Sequence, residues 1–170
     1  MKHRDELIRI LITRIQARAG EEDALYLPEW DGACWGLLLS GAKVMELGGG
    51  EVLVRQEDSS NDLYFLVDGT LEVSVPQSGS MTMTPLVSIG PGSIVGEIAF
   101  LDNRARSASV WSRGKSTLLR LPEASFADFR AAEPALACDL LYAIGRIMAQ
   151  RLRRSMSGSK GGGREGEYFL

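Results

Sequence analysis

Between Gly96 and Val110 the sequence reads GEIAFLDNRARSASV, bringing a glycine-led turn, a carboxylate and an arginine into an arrangement suited to one phosphate and the sugar beside it. Pro91, Gly92 and Gly96 interrupt the chain ahead of a short helical stretch, so the first backbone N–H groups of that stretch have no carbonyl partner and face an incoming anion. Arg106 supplies the formal charge. Its guanidinium can grip two phosphate oxygens at once, where a lysine would act as a point charge. Glu97 beside an anion site is electrostatically wrong unless it accepts a hydrogen bond from a neutral hydroxyl, and a ribose 2′-OH meets that need. Taken as an isolated pair, Glu97 and Arg106 would merely close a loop by an ion pair. The glycine, the small alanines and the serine after Arg106 turn the balance toward a ligand site. Arg104 reads as a solvated loop charge. Ser109, on the same side of an alternating strand as Ser107, suits a ligand contact and a barrel serine equally.

The flanking sequence supplies elements to hold such a loop. Leu7, Ile8, Leu11, Ile12 and Ile15 form one stripe of a helix over Asp5 to Arg18, which Gly20 stops. From Glu21 to Gly41 the prolines and glycines leave only short helical turns. From Ala42 to Leu121 short runs of Val, Leu and Ile are punctuated by Gly, Pro, Asp and Ser, which predicts an all-β barrel or sandwich. Asp68-Gly69 is the clearest hairpin turn. Beyond it Leu71, Val73 and Val75 alternate with Glu72 and Ser74, so one face of that strand is buried and the other wet. Pro122 opens a short helix carrying Phe126 and Phe129, and Pro134 a longer one through about Arg154. Ala137, Leu141, Ile144, Met148 and Leu152 make a seam on it that either packs on the barrel or pairs with a second copy. Arg146, Arg151, Arg153 and Arg154 complement the helix dipole and keep the helix soluble. The organisation is therefore an N-terminal helical segment, 1–41, a domain at 42–157, and a glycine-rich tail, 158–170, whose composition cannot form a core apart from a docking role for Tyr168-Phe169-Leu170. The domain divides into β structure at 42–121 and helices at 122–156.

Composition bounds the function. At 170 residues and 45% apolar content the chain suits one domain with one sizeable core. A net charge of −3 offers no global attraction to nucleic acid or anionic lipid. Cys34 and Cys138 are far apart, with no CxxC spacing and no secretory leader, which fits a reducing cytoplasm. No stretch is long and apolar enough to span a bilayer, although the chain suits the soluble end of something that does. A lone histidine, His3, excludes a histidine metal centre and a Ser/His/Asp or Cys/His set within the barrel. No catalytic residues and no metal ligands are expected.

At Gly96-Glu97-Ile98-Ala99 and Arg106-Ser107-Ala108-Ser109-Val110 the chain resembles the cyclic nucleotide-binding domain family, whose phosphate-binding cassette reads Gly-Glu-x-Ala and then Arg-x-Ala-x-Val. The resemblance continues upstream through Gly50-Glu51-Val52, Arg55-Gln56-Glu57-Asp58, Leu63 to Val73 and Ile89-Gly90-Pro91-Gly92, covering roughly residues 40 to 157. Glu57 departs from it, standing where the family has a glycine ahead of the aspartate, in a turn expected to lie far from the phosphate. The resemblance implies a mainly β fold: a jelly-roll-like β-roll with an N-terminal helix and C-terminal helices. It assigns Glu97 to the ribose 2′-OH, Arg106 and Ser107 to the cyclic phosphate, and backbone donors to Gly96, Glu97, Ile98 and Ala99, with Ala108 and, more peripherally, Val95 and Ser109 lining the site. In the catabolite-activator branch a residue near Ser155 touches the adenine.

The implied function is a sensing module that binds a cyclic nucleotide and shifts its C-terminal helices to signal. Cyclic AMP is favoured over cyclic GMP, and a cyclic dinucleotide presents a similar phosphate and ribose. Partners implied are a fused or associated membrane transporter, as in the soluble tails of sulfate permeases and channels, or another effector, and a second copy through helix 134–156. A DNA-binding regulator needs a helix-turn-helix that the roughly sixteen residues beyond Arg154 do not supply, so no DNA binding is expected. The alternative is a degenerate domain serving as an interaction or dimerisation module, in which Phe100, Leu101 or Trp111 fills the base cavity.

Overall fold

The stretch Leu63–Asp68 forms strand β3, and its first five residues are all buried, because it lies in the middle layer of three. Leu63, Phe65 and Val67 point to a layer of helices, while Tyr64 and Leu66 point to a second sheet, as strand alternation requires. The computed structural model describes residues 2–21, 24–74 and 87–158.

Among the described residues, eight strands make two antiparallel four-stranded sheets. The first has the order β1 (Lys43–Leu47), β8 (Ser116–Leu121), β3, β6 (Ile94–Val95). The second has the order β2 (Val52–Val54), β7 (Ser109–Ser112), β4 (Leu71–Ser74), β5 (Val87–Ile89). Together with the flanking helices this is the expected β-roll architecture. The hydrophobic interior is divided in two, where one core was expected. Leu47, Val54, Tyr64, Leu66, Leu71, Val95, Val110 and Leu118 fill the space between the sheets. The larger cluster lies on the outer face of the first sheet, where Phe65, Ile94, Leu119 and Leu121 meet the helices. A sheet buried on both faces separates them.

Four helices form that outer layer: α1 (Lys2–Ala17), α2 (Gly32–Leu38), α4 (Glu123–Ala132) and α5 (Pro134–Gly158). Leu7, Leu11 and Ile15 of α1, Trp30 and Trp35, and Phe126 and Phe129 of α4 all join the same cluster. Trp35 stands edge-on to Phe65 with ring centroids 6.1 Å apart. On α5 the buried stripe is Ala137, Leu140, Ala143, Ile144 and Ile147, so the expected seam is rotated: Leu141 and Met148 are only partly buried and Leu152 is 41% exposed. That stripe is core, packed on the barrel side. Packing of this kind stabilises the layer by about 2–3 kcal/mol for each large buried side chain.

Asp68-Gly69 does not join a hairpin. β3 and β4 belong to different sheets, so this turn carries the chain across the sandwich. Its glycine, at φ +97°, passes so close to Ser116 that a Cβ would stand 2.6 Å from the Lys115 carbonyl oxygen. The alternation expected on β4 is also blurred, since Ser74 is fully buried and Val73 half-buried; Val75 and the tail beyond Gly158 lie outside the described residues.

Candidate phosphate and ribose site

The cassette is suspended between the two sheets. β6 pairs with β3 through Tyr64 opposite Val95 and Phe65 opposite Ile94. Gly96 then turns the chain at φ +86° into the short helix α3 (Glu97–Asp102), which Asn103 ends at φ +57°. The chain returns through Arg106 to β7, in the other sheet, flanked by β2 and β4. Only glycine suits the first turn, because a Cβ at Gly96 would press on Arg106 Nη1 and stand 2.9 Å from the Asp62 carbonyl oxygen.

Arg106 is 2% exposed, yet its guanidinium donates only to neutral acceptors. Nε donates to Ser60 Oγ at 3.1 Å, Nη1 to the Gly96 carbonyl at 3.0 Å and Nη2 to the Asp62 carbonyl at 2.8 Å. Two of the five guanidinium N–H groups, one on each Nη, are left over. The Tyr64 ring faces the guanidinium at 5.5 Å from its centroid. Burial pushes the Arg106 pKa down from its ordinary value, with the nearby Tyr64 and Asp62 opposing that shift. The Asp62 carboxylate is itself engaged elsewhere, accepting from Arg120 Nε at 2.5 Å and from the Glu123 amide at 3.1 Å. Among the described residues no carboxylate lies within ion-pair distance of Arg106.

Glu97 differs. It is 7% exposed and pairs with Arg151 of α5, whose Nη1 donates to Glu97 Oε1 and whose Nη2 donates to the Ile94 carbonyl at 3.4 Å. Glu97 and Arg106 therefore form no loop-closing ion pair, and Arg151, read from the sequence as a dipole-complementing cation, reaches the cassette.

The segment Arg55–Asp58, expected to be distant from the phosphate, is instead bonded to the cassette backbone. The Glu57 amide donates to the Arg106 carbonyl at 2.9 Å, and the Arg106 amide donates to the Asp58 carbonyl at 2.8 Å. Glu57 adopts φ +68°, the left-handed region that glycine enters most readily.

A protein-family comparison decides what this loop belongs to: the family described as the cyclic nucleotide-binding domain matches residues 44–133, more than half of the chain. The chain belongs to the cyclic nucleotide-binding domain family. A curated relative, glutaminase 2 of Bradyrhizobium diazoefficiens, is 36% identical over 103 residues, which are 61% of this chain but 16% of that protein. A cyclic nucleotide-binding domain from Methylobacillus flagellatus superposes with a TM-score of 0.78 at 17% identity, covering 91% of this chain and 83% of that one. The regulatory domain of Toxoplasma gondii PKA, solved with cAMP, gives a TM-score of 0.60 at 24% identity over 76% of this chain and 45% of that one.

The cassette residues of this cyclic nucleotide-binding domain are gathered at one place. Val95, Glu97, Ala99 and Ala108 are buried, and Gly96, Ile98 and Ser107 half-buried. The Ser107 hydroxyl has no protein partner among the described residues. Ser109 is 4% exposed and its Oγ accepts from the Gln56 amide at 3.0 Å, a structural use of that hydroxyl. Ser155 is on α5, but its side chain lies outside the described residues. Arg104 is exposed. Of the aromatic groups considered as plugs, Phe100 packs on Phe126 at 4.9 Å between centroids and Trp111 donates to Glu72 Oε2 at 3.0 Å, so both are engaged elsewhere; Leu101 is 40% exposed. What sequence reasoning missed is the cradle of Ser60 and the Asp62 carbonyl, and Arg151. No helix is long and apolar enough to cross a membrane, and no group of three or more His, Cys, Asp or Glu is placed to hold a metal ion, among the described residues.

Proposed function

We propose that this domain is a cytoplasmic sensor of a cyclic nucleotide, performing no chemistry on its ligand. The observation that carries the reading is Arg106, a cation held almost out of water by neutral acceptors alone. A buried charge without an ionic partner is costly, and an anion arriving on its two spare N–H groups removes that cost. In this reading Ser107 and the first backbone N–H groups of α3 join Arg106 in binding the phosphate, and Glu97 takes the ribose 2′-OH. Cyclic AMP is the favoured ligand over cyclic GMP; the fold neighbour from T. gondii was solved with cAMP, which supports starting there. The signal passes through α5 to an effector, fused or associated, of which a membrane transporter is one form. The chain spans only 16% of the glutaminase it resembles, in keeping with a module that serves a larger partner.

Titration calorimetry with cAMP, cGMP and cyclic di-GMP, on the parent chain and on a folded Arg106→Ala variant, tests the reading. Loss of a charged hydrogen-bond partner costs a few kcal/mol, so the variant binds about a hundredfold more weakly. If none of the three ligands gives heat or raises the melting temperature of the parent chain, the sensor reading falls and the interaction-module alternative takes its place.

A further inference from the structure

A second cation with spare donors stands away from the cassette. Between α5 and the segment that joins α1 to α2 lies a cavity of about 260 Å³, lined by Glu21, Ala24 and Tyr26 on one side and Ala143, Arg146 and Gln150 on the other. The three α5 residues follow one another at steps of three and four, so they share a face of the helix. Ala24 and Ala143 are both buried and give the cavity an apolar floor. The Arg146 guanidinium stands over the Tyr26 ring at 5.5 Å from its centroid. Among the described residues it pairs with no carboxylate and donates no hydrogen bond, so stacking fixes its plane while its N–H edge stays available. Arg146 is in the middle of α5 (Pro134–Gly158), too far from the last turn to serve the helix dipole. Gln150, one turn on, also has no hydrogen-bond partner among the described residues. Glu21 is engaged: its Oε2 accepts from Arg18 Nε at 2.7 Å, which offsets its repulsion of an anion at Arg146.

We propose that this cavity binds a small organic carboxylate, at a site separate from the cassette and independent of the cyclic nucleotide reading. A carboxylate presents two coplanar oxygens, which a guanidinium held flat on a ring can meet with two parallel N–H bonds. The Gln150 amide supplies a further donor, and the alanine floor takes a short carbon chain. Size sets the upper bound. Cavities that enclose drug-sized ligands run from roughly 300 to 1,000 Å³, so this one suits a short acid and not a second nucleotide. Charge favours a carboxylate over a phosphate. Glu21 is followed in the sequence by Glu22 and Asp23, and an acidic segment repels a dianion about twice as strongly as a monoanion.

The test is an NMR titration of the isotope-labelled full chain with propanoate, replacing chloride ion for ion so that ionic strength stays constant. The amides of Gly20, Glu21, Ala24 and Tyr26 and the Nε–H of Arg146 should shift along a saturating curve, with a Kd of about 1–10 mM for so small a ligand. Arg146 is exposed, so Arg146→Gln should fold as the parent does, which its melting profile checks. That variant should bind propanoate at least about tenfold more weakly, and Arg146→Lys, which keeps the charge but not the paired donors, about three- to tenfold more weakly. Shifts that stay linear in propanoate, or that persist unchanged in Arg146→Gln, overturn the proposal. Inorganic phosphate at the same ionic strength should bind more weakly than propanoate; equal or tighter binding overturns the choice of a carboxylate. The cAMP affinity of Arg146→Gln should stay within about twofold of the parent, and a larger loss overturns the separation of the two sites.

Discussion

Arg106 and Glu97 belong to one cassette and are both buried, yet the protein treats them in opposite ways. The arginine is held by a hydroxyl and two backbone carbonyls, and the glutamate by another charge. Neutral acceptors fix a guanidinium in place without neutralising it, so its attraction for an anion survives burial. An ionic partner does neutralise, so Glu97 carries less unbalanced charge than Arg106 although its second oxygen can still accept a hydrogen bond. On the proposed reading the phosphate half of the cassette keeps its charge available, whereas the charge of the ribose half is already paired. The carbonyl cradle also explains the position of the glycine between them, since Gly96 provides one of the acceptors and leaves room for the others.

The change with the largest expected effect removes that glycine. Gly96→Ala places a Cβ at φ +86° against Arg106 Nη1 and 2.9 Å from the Asp62 carbonyl oxygen, combining left-handed strain with a backbone clash. About 2–4 kcal/mol of stability should be lost, a fall in Tm of roughly 5–12 °C for a domain of this size. Calorimetric melting gives the first number, and cAMP titration should show binding reduced more than by Arg106→Ala, because both halves of the cassette shift. An unaltered Tm would mean that the turn relaxes freely and that the contrast between the halves does not depend on it.

A smaller change tests how the arginine is positioned. Tyr64→Leu removes the ring that faces the guanidinium at 5.5 Å and should weaken cAMP binding about three- to tenfold, while Tyr64→Phe, which keeps the ring, should stay near the parent. The phenol has its own signature. Burial raises the Tyr64 pKa above its ordinary value, with Arg106 opposing the shift. A raised pKa in the folded state means that stability is fully present below the unfolded value of about 10 and is lost as pH climbs through the folded one. Denaturant unfolding between pH 9 and 11.5 should show a shallower alkaline loss in Tyr64→Phe than in the parent; identical curves would sever the phenol from stability.

Legibility followed locality. Gly96, Glu97, Arg106 and Ser107 are neighbours in sequence, and their types name their chemistry, so the cassette could be read before the fold was known. Ser60 and the Asp62 carbonyl could not, because a backbone acceptor leaves no mark in residue type. Arg151 stands 54 positions from Glu97, and an arginine near a helix end looks the same whether it serves the dipole or a distant carboxylate. The β architecture was plain from short apolar runs, but Asp68-Gly69 reveals only that the chain turns, and the choice between a hairpin and a crossing is made by which strands pair. On α5 the helical period was right and the buried side was rotated, since Leu140, Ala143 and Ile147 extend the stripe away from Leu152.

The smallest effect concerns the turn that the sequence reading set apart. Glu57 holds φ +68° without being glycine, a conformation that costs a side-chain-bearing residue about 1–2 kcal/mol, and its amide donates to the Arg106 carbonyl at 2.9 Å. Glu57→Gly relieves that strain but frees the unfolded chain, so a net stabilisation of about 0.5–1 kcal/mol is expected, a rise in Tm of roughly 1–4 °C. The amide is retained, so the bond to Arg106 persists and cAMP affinity should change less than twofold. A drop in Tm would show that the Glu57 side chain contributes more than its backbone costs. A large change in affinity with Tm unmoved would show that strain in this turn sets the position of Arg106, and the phosphate half of the cassette would then extend to residues 55–58.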